Sequence, residues 1–185
     1  MDKVSFVHCS DLHLGCQQLH EERWHDFGKA FKQVVDYALT QQVDFCLIAG
    51  DLFHHRNVNA PTLGQALEQL ARLKEGGIMT IAIEGNHDKA FYQDRDSWMN
   101  FLHKQGYLHL LKPVFDSDGK ILLTPYDGEK GCVLEAKGVR FIGLGYLGAT
   151  TGRRLEELAG SLEPSDRFTV VLLHGAVDKL LGQDL

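Results

Sequence analysis

Five residues of this sequence could together furnish a metal site: Asp11, His13, Asp51, Asn86 and His174. Each stands at, or just past, the end of a run with strand character. Residues 4–8 lead into Asp11-Leu12-His13, and residues 45–49 into Gly50-Asp51. Residues 79–83 lead into Gly85-Asn86-His87-Asp88, and residues 168–173 end at His174. In open α/β sheets ligands collect at the C-terminal edge of the strands. Carboxylate, imidazole and amide oxygen suit intermediate divalent ions such as manganese or iron, with zinc also compatible. An aspartate between two donor groups can offer one oxygen to each of two cations. Two such cations clamp a phosphoryl group and lower the pKa of a bound water. In the order of the motifs, Asp51 holds that middle position. Taken singly, Asp11 and Asn86 are ordinary turn residues, and His174 reads as a hydrogen-bonded structural histidine. Turn chemistry does not explain why these residue types fall at the same edge of successive strands.

The elements that must position these residues follow from periodicity. Residues 45–49 are apolar on both pleat faces, as in a strand covered on both sides. Gly50 then allows a sharp turn that presents Asp51. Phe27, Ala30, Phe31, Val34, Val35 and Ala38 repeat at helical spacing over 24–39. Leu63, Ala66, Leu67, Leu70 and Leu73 do so over 61–75, a helix opened by Pro61 and stopped by Gly76-Gly77. The opening half is therefore two βαβ units with parallel pairing. A third helix through Trp98, Phe101 and Leu102 would be capped by Asp94 or Asp96. Beyond it, residues 108–114, 120–124, 132–136 and 140–145 read as short strands separated by glycine turns, forming a hairpin-rich second sheet. A helix near 154–159 precedes the last strand. The expected fold class is α/β with α+β elements: a two-sheet sandwich flanked by helices, in one domain over residues 1–185.

Bulk properties narrow the function classes. The chain has 185 residues, is 44% hydrophobic and carries a formal net charge of -6. Its overall charge does not draw polyanions, so contact with nucleic acid requires a local basic patch, bound metal ions or a partner. Cys9, Cys16, Cys46 and Cys132 form no C-x-x-C pair and point to a reducing compartment. Cys46 is expected to be a buried thiol; Cys9 and Cys16 flank Asp11 and His13, but the hard ligand set leaves their sulfurs outside the site. The start lacks the apolar core of a signal peptide, and no apolar run approaches the ~20 residues of a membrane span. The expected location is cytoplasmic, with no membrane partner.

Asp11-Leu12-His13, Gly50-Asp51, Gly85-Asn86-His87-Asp88 and the strand-borne His174 resemble the signature of the calcineurin-like metallophosphoesterase superfamily. Within it, Ser10-Asp11-Leu12-His13-Leu14-Gly15 and Gly50-Asp51-Leu52-Phe53-His54 are similar to the DNA repair exonuclease branch of SbcD-type nuclease subunits. The resemblance implies a metal-dependent phosphodiesterase, a DNA exonuclease subunit of a repair complex. It implies two divalent ions, manganese first, with iron or zinc as alternatives. Asp11, His13 and Asp51 would hold one ion, and Asp51, Asn86 and His174 the other. His87 would be the general acid, Asp88 would orient its ring, and His54 would contact the phosphate. The implied partners are DNA, an SMC-like ATPase subunit and a second copy of the chain. That copy would pair through exposed apolar residues of the second and third helices, Leu63, Met99, Phe101 and Leu102.

The superfamily signature ends in a Gly-His-x-His turn that gives each ion one more histidine, and none follows His174 here. The expectation is a C-terminally truncated catalytic domain, weakly active or inactive alone, whose last strand lies at an open sheet edge. Two other functions remain open: a phosphoesterase for nucleotides or other small substrates, and a metal-poor scaffold or interaction domain.

Overall fold

A computed structural model describes residues 3–17, 24–91 and 96–175. The apolar run at 45–49 is strand β2 (Phe45–Ala49), buried at every position. It pairs in parallel with β1 (Phe6–Cys9) on one side and β3 (Met79–Ile83) on the other. β4 (His109–Leu110) adds in parallel to β3, giving the order β1-β2-β3-β4. The crossovers are α1 (Trp24–Gln41) and α2 (Ala60–Glu75), as the helical spacing required. Asn59 caps α2 by accepting from the Thr62 N–H at 3.0 Å, with Pro61 in the first turn.

Each face of this sheet has its own core. On one face Cys46, Ile48 and Ala82 pack with Phe31, Val35 and Ala38 of α1 and Ala66, Leu70 and Leu73 of α2. On the other, Phe45, Leu47, Ala49, Ile81 and Ile83 meet Val139, Phe141 and Leu172 of a second sheet. Burying each large side chain in these layers contributes about 1.5–3 kcal/mol. The second sheet has the order β7 (Val133–Ala136), β8 (Val139–Tyr146), β9 (Phe168–His174). β7 pairs antiparallel and β9 parallel to β8. Its far face packs Ile142 and Leu144 on Leu158 of α4 (Thr151–Ser161). The chain is thus the expected mixed α/β sandwich with helices on both outer faces.

Several expectations need correction. Residues 108–114 are not one strand of the second sheet. They divide into β4, which extends the first sheet, and β5 (Val114–Phe115), which forms a separate hairpin with β6 (Ile121–Leu122). Pro113, without an N–H, lies between the two pieces. The cap of α3 (Trp98–Lys104) is Ser97, which accepts from the Asn100 N–H at 3.1 Å. Asp96 instead binds Lys104, and Asp94 lies outside the described residues. Met99 and Leu102 are fully buried and Leu63 packs on the same core, so of the four apolar residues expected on an outer face only Phe101 is exposed. No helix among the described residues is long and apolar enough to cross a membrane.

The two sheets converge at one end. A register shift between Gly143 and Gly145 interrupts the β8–β9 pairing, and the Tyr146 N–H donates to the Glu84 carbonyl at 2.9 Å, just past β3. Such bulges re-aim side chains next to functional sites. Here the bulge brings the end of the second sheet, with His174, over the loops that follow β2 and β3.

Candidate metal centre

Five non-glycine residues among those described have left-handed backbone, and three are Asp11 (φ 54°), His13 (φ 43°) and Asp51 (φ 54°). Such a conformation costs on the order of 1–3 kcal/mol per residue and persists only where surroundings enforce it. The enforcement is visible. Asp11 N–H donates to Gly50 O at 3.1 Å, His13 N–H to Asp51 O at 3.0 Å and Leu14 N–H to Leu52 O at 2.9 Å. His54 N–H returns to Leu14 O at 3.0 Å. The loops after β1 and β2 therefore run as a paired ribbon that carries both motifs. Two glycines make the approach of the third loop possible. A Cβ on Gly50 would lie 2.5 Å from His174 Nδ1, and one on Gly85 would lie 2.0 Å from Asp51 Oδ1.

At the centre is Asp51, 2% exposed. Its Oδ1 accepts the His87 backbone N–H at 2.9 Å. Its Oδ2 faces two imidazoles, His174 Nε2 at 3.4 Å and His13 Nε2 at 3.8 Å. His13 Nε2 is also 3.8 Å from Asp11 Oδ1. Asn86 lines the same cleft as Asp11 and His174, a cavity of about 410 Å³ bounded also by His8, Ser10 and Tyr146. Every metal-ligating candidate from the sequence is thus at one edge of the fold.

The histidines are held through one nitrogen each. His174 Nδ1 lies 2.8 Å from Ala49 O, a position that calls for Nδ1–H and leaves Nε2 as a lone pair aimed at Asp51. His87 Nδ1 lies 2.7 Å from His54 O, which frees its Nε2 in the same way. His54 Nδ1 is 3.2 Å from His13 Nδ1, so one ring donates to the other. The His54 and His87 rings stack, with centroids 5.3 Å apart. Burial, then the neighbouring His55, His13 and His87, lowers the pKa of His54, which favours its neutral ring. His55 is exposed.

Asp88 does something the sequence did not announce. Its carboxylate accepts three backbone N–H groups: Asp51 at 2.7 Å, Gly85 at 3.0 Å and Phe53 at 3.1 Å. The His54 carbonyl, not Asp88, holds the His87 ring. Asp88 instead ties the second and third motif loops together beneath Asp51. Burial pushes its pKa up from 3.8 to about 6, against the opposing pull of those amides. A folded-state value above the unfolded one means that the folded protein binds the extra proton, so this contribution is full below pH 3.8 and lost as pH rises through about 6. With ~1.4 kcal/mol per pH unit, the effect is about 3 kcal/mol at most. Urea unfolding in chelator should therefore show wild type losing stability relative to Asp88→Asn between about pH 4 and pH 7. A difference independent of pH would show that Asp88 does not titrate in that window.

The donors fit a cation. Ring nitrogens of His174 and His13 converge on a buried carboxylate oxygen, and no lysine or arginine among the described residues pairs with Asp51. Acceptors facing acceptors in a buried place are costly unless a positive charge lies between them. Ligand atoms of Asp11, Asp51 and His174 lie within 4.8 Å of one another, as do those of His13, His54 and His87. No cysteine joins these groups: Cys16 and Cys46 are buried, and Cys9 Sγ faces Leu47 O at 3.7 Å and hydrogen-bonds with the Cys46 thiol.

Comparison with known proteins identifies a family. The model of the calcineurin-like phosphoesterase family matches residues 4–183. The chain is 32% identical over 191 residues to the DNA double-strand break repair protein Mre11 of Archaeoglobus fulgidus, covering 98% of this chain and 41% of that protein. It is 30% identical over 186 residues to the protein of that name from Sulfurisphaera tokodaii, covering 98% and 43%. With that of Saccharolobus solfataricus it shares 29% over 182 residues, again 98% and 43%. The chain therefore spans about two-fifths of the length of these relatives.

Proposed function

Because the chain belongs to the calcineurin-like phosphoesterase family, we propose that it carries the catalytic site of a metal-dependent phosphodiesterase that hydrolyses DNA during repair of double-strand breaks. One observation carries this reading: buried Asp51 stands between His13 and His174 with its Oδ2 turned to both. Asp11, His13 and Asp51 would hold one divalent ion, and Asp51, Asn86 and His174 a second. When bound, such ions polarise the phosphoryl oxygens and supply a nucleophilic water near neutral pH.

The chain's own residues do the rest. Asp51 is immobilised through Oδ1 by the His87 amide, and its loop by Asp88. His54 orients the His13 ring through its Nδ1 and keeps Nε2 available for a phosphate oxygen. His87, anchored by Nδ1–H on the His54 carbonyl, would be the proton donor to the leaving oxygen through Nε2, in its doubly protonated form. Imidazole suits that task because its ordinary pKa lies near neutral. Manganese as the ion, cytoplasmic placement, an SMC-like ATPase subunit as partner and pairing of two copies belong to the same proposal. Relatives named as DNA double-strand break repair proteins support DNA as substrate and a repair complex as setting.

The test is a manganese-dependent assay on linear duplex DNA, closed circular DNA and bis-p-nitrophenyl phosphate. Weak hydrolysis that needs DNA ends and stops in chelator is expected. Turnover of the small diester alone would favour a small-substrate phosphoesterase, and no turnover of any of the three would favour a scaffold.

A further inference from the structure

A second cavity, larger than the metal cleft at about 480 Å³, opens beside it. Tyr146 is a wall of both, and its ring centroid lies 6.2 Å from that of His174. The bulge in β8 places that tyrosine there. The other walls are the segment leading into β5, the end of β8 and the first turns of α4. Two features set this cavity apart from an ordinary surface hollow, namely the sign of its charge and its aromatic faces.

Lys89, Lys112 and Arg154 line it in a chain whose net charge is -6; Glu84 and Glu157 pair with the last two, so the excess positive charge is that of Lys89. Lys112 pairs with Glu84 at 3.0 Å. Arg154, its side chain only 11% exposed, is fixed by Glu157 at 2.8 Å and lies 5.5 Å from the centre of the Phe115 ring. Lys89 donates to the Tyr146 carbonyl at 2.9 Å, and its ammonium sits 5.3 Å from that ring's centre. No carboxylate among the described residues pairs with Lys89. Phe115 is 45% exposed, so its ring is open to solvent beside these cations. Cations beside solvent-open rings are the combination that holds single-stranded nucleic acid, with bases stacked on rings and phosphates on the cations. The volume falls in the range of small-molecule sites.

We propose that this cavity is a subsite for the nucleotide adjoining the scissile phosphate, with its base against Phe115 and its phosphate between Lys89 and Arg154. The inference rests on the phosphodiesterase reading above and adds where the strand lies. A strand cleaved at the Asp51 centre passes over Tyr146 into the cavity, so that the local positive charge offsets the repulsion of the whole molecule.

The test compares an oligonucleotide with bis-p-nitrophenyl phosphate, which has no neighbouring nucleotide, in the manganese-loaded protein. Phe115→Ala should raise KM for the oligonucleotide about 10-fold relative to KM for the small diester, the fold-change expected from losing one stacked base. Phe115→Trp should restore it. Arg154→Gln should flatten the dependence of log KM on log salt by about 0.7, the value of one phosphate contact to a single strand. Arg154→Lys, which keeps the charge, should not. Should Phe115→Ala and Arg154→Gln leave the KM ratio and the salt slope at wild-type values while wild type cleaves the oligonucleotide, the subsite is wrong and the nuclease reading stands. Wild-type hydrolysis of the small diester without any of the oligonucleotide overturns both.

Discussion

Asp51→Asn should remove divalent-metal binding and phosphodiester hydrolysis together, while the metal-free protein should fold at least as stably as wild type. The asparagine Oδ1 can still accept the His87 amide that Asp51 accepts at 2.9 Å, so the loop keeps its main tether. What disappears is a buried negative charge facing His13 and His174 without a lysine or arginine partner, an arrangement that costs stability until a cation arrives. The expected loss of metal affinity exceeds the ~10–100-fold typical of residues that only support a ligand, because one carboxylate would serve both ions. Thermal unfolding with and without manganese separates the two effects. Wild type at 100 times its dissociation constant should gain about 2.7 kcal/mol, and the variant none. Equal metal-induced stabilisation of both proteins would show that Asp51 is not a ligand.

His87→Ala has a different signature. The interaction with Asp51 runs through the backbone N–H of residue 87 and survives the substitution, so metal binding should stay close to wild type. Hydrolysis of DNA should fall by about 10²–10⁴-fold, the usual contribution of general acid–base catalysis. The loss should be much smaller for bis-p-nitrophenyl phosphate, whose leaving group departs without a proton. Calorimetric metal titration beside kcat on the two substrates decides the matter. A parallel loss of metal affinity would make His87 a ligand, and an equal loss on both substrates would remove it from the acid role.

The core strands and their terminal donors were legible in the sequence because both depend on local pattern. The unbroken apolar run at 45–49 can only be a strand buried on two faces, and it is. Helical spacing of Phe31, Val35 and Ala38, and of Ala66, Leu70 and Leu73, marked the side that meets the sheet. Features decided by contact between distant segments were not legible. Asp88 was expected to orient His87, whereas its three amide partners include two that lie 35 and 37 residues away. Nothing in the spelling of Met99 and Leu102 separates an apolar surface from a core position, and packing of α3 resolved it. The strain at Asp11, His13 and Asp51 and the bulge at Gly143–Gly145 likewise arise only once the loops and sheets are brought together. Gly85 carried a usable signal, since a glycine before Asn-His-Asp marks a place where another backbone comes close, here that of Asp51.

If Asp51 joins two metal positions into one centre, electron paramagnetic resonance during manganese titration should show a second equivalent of manganese converting the spectrum to that of a spin-coupled pair, and Asp51→Asn should abolish the coupling. Two magnetically independent ions in wild type, or coupling that persists in Asp51→Asn, would contradict that role.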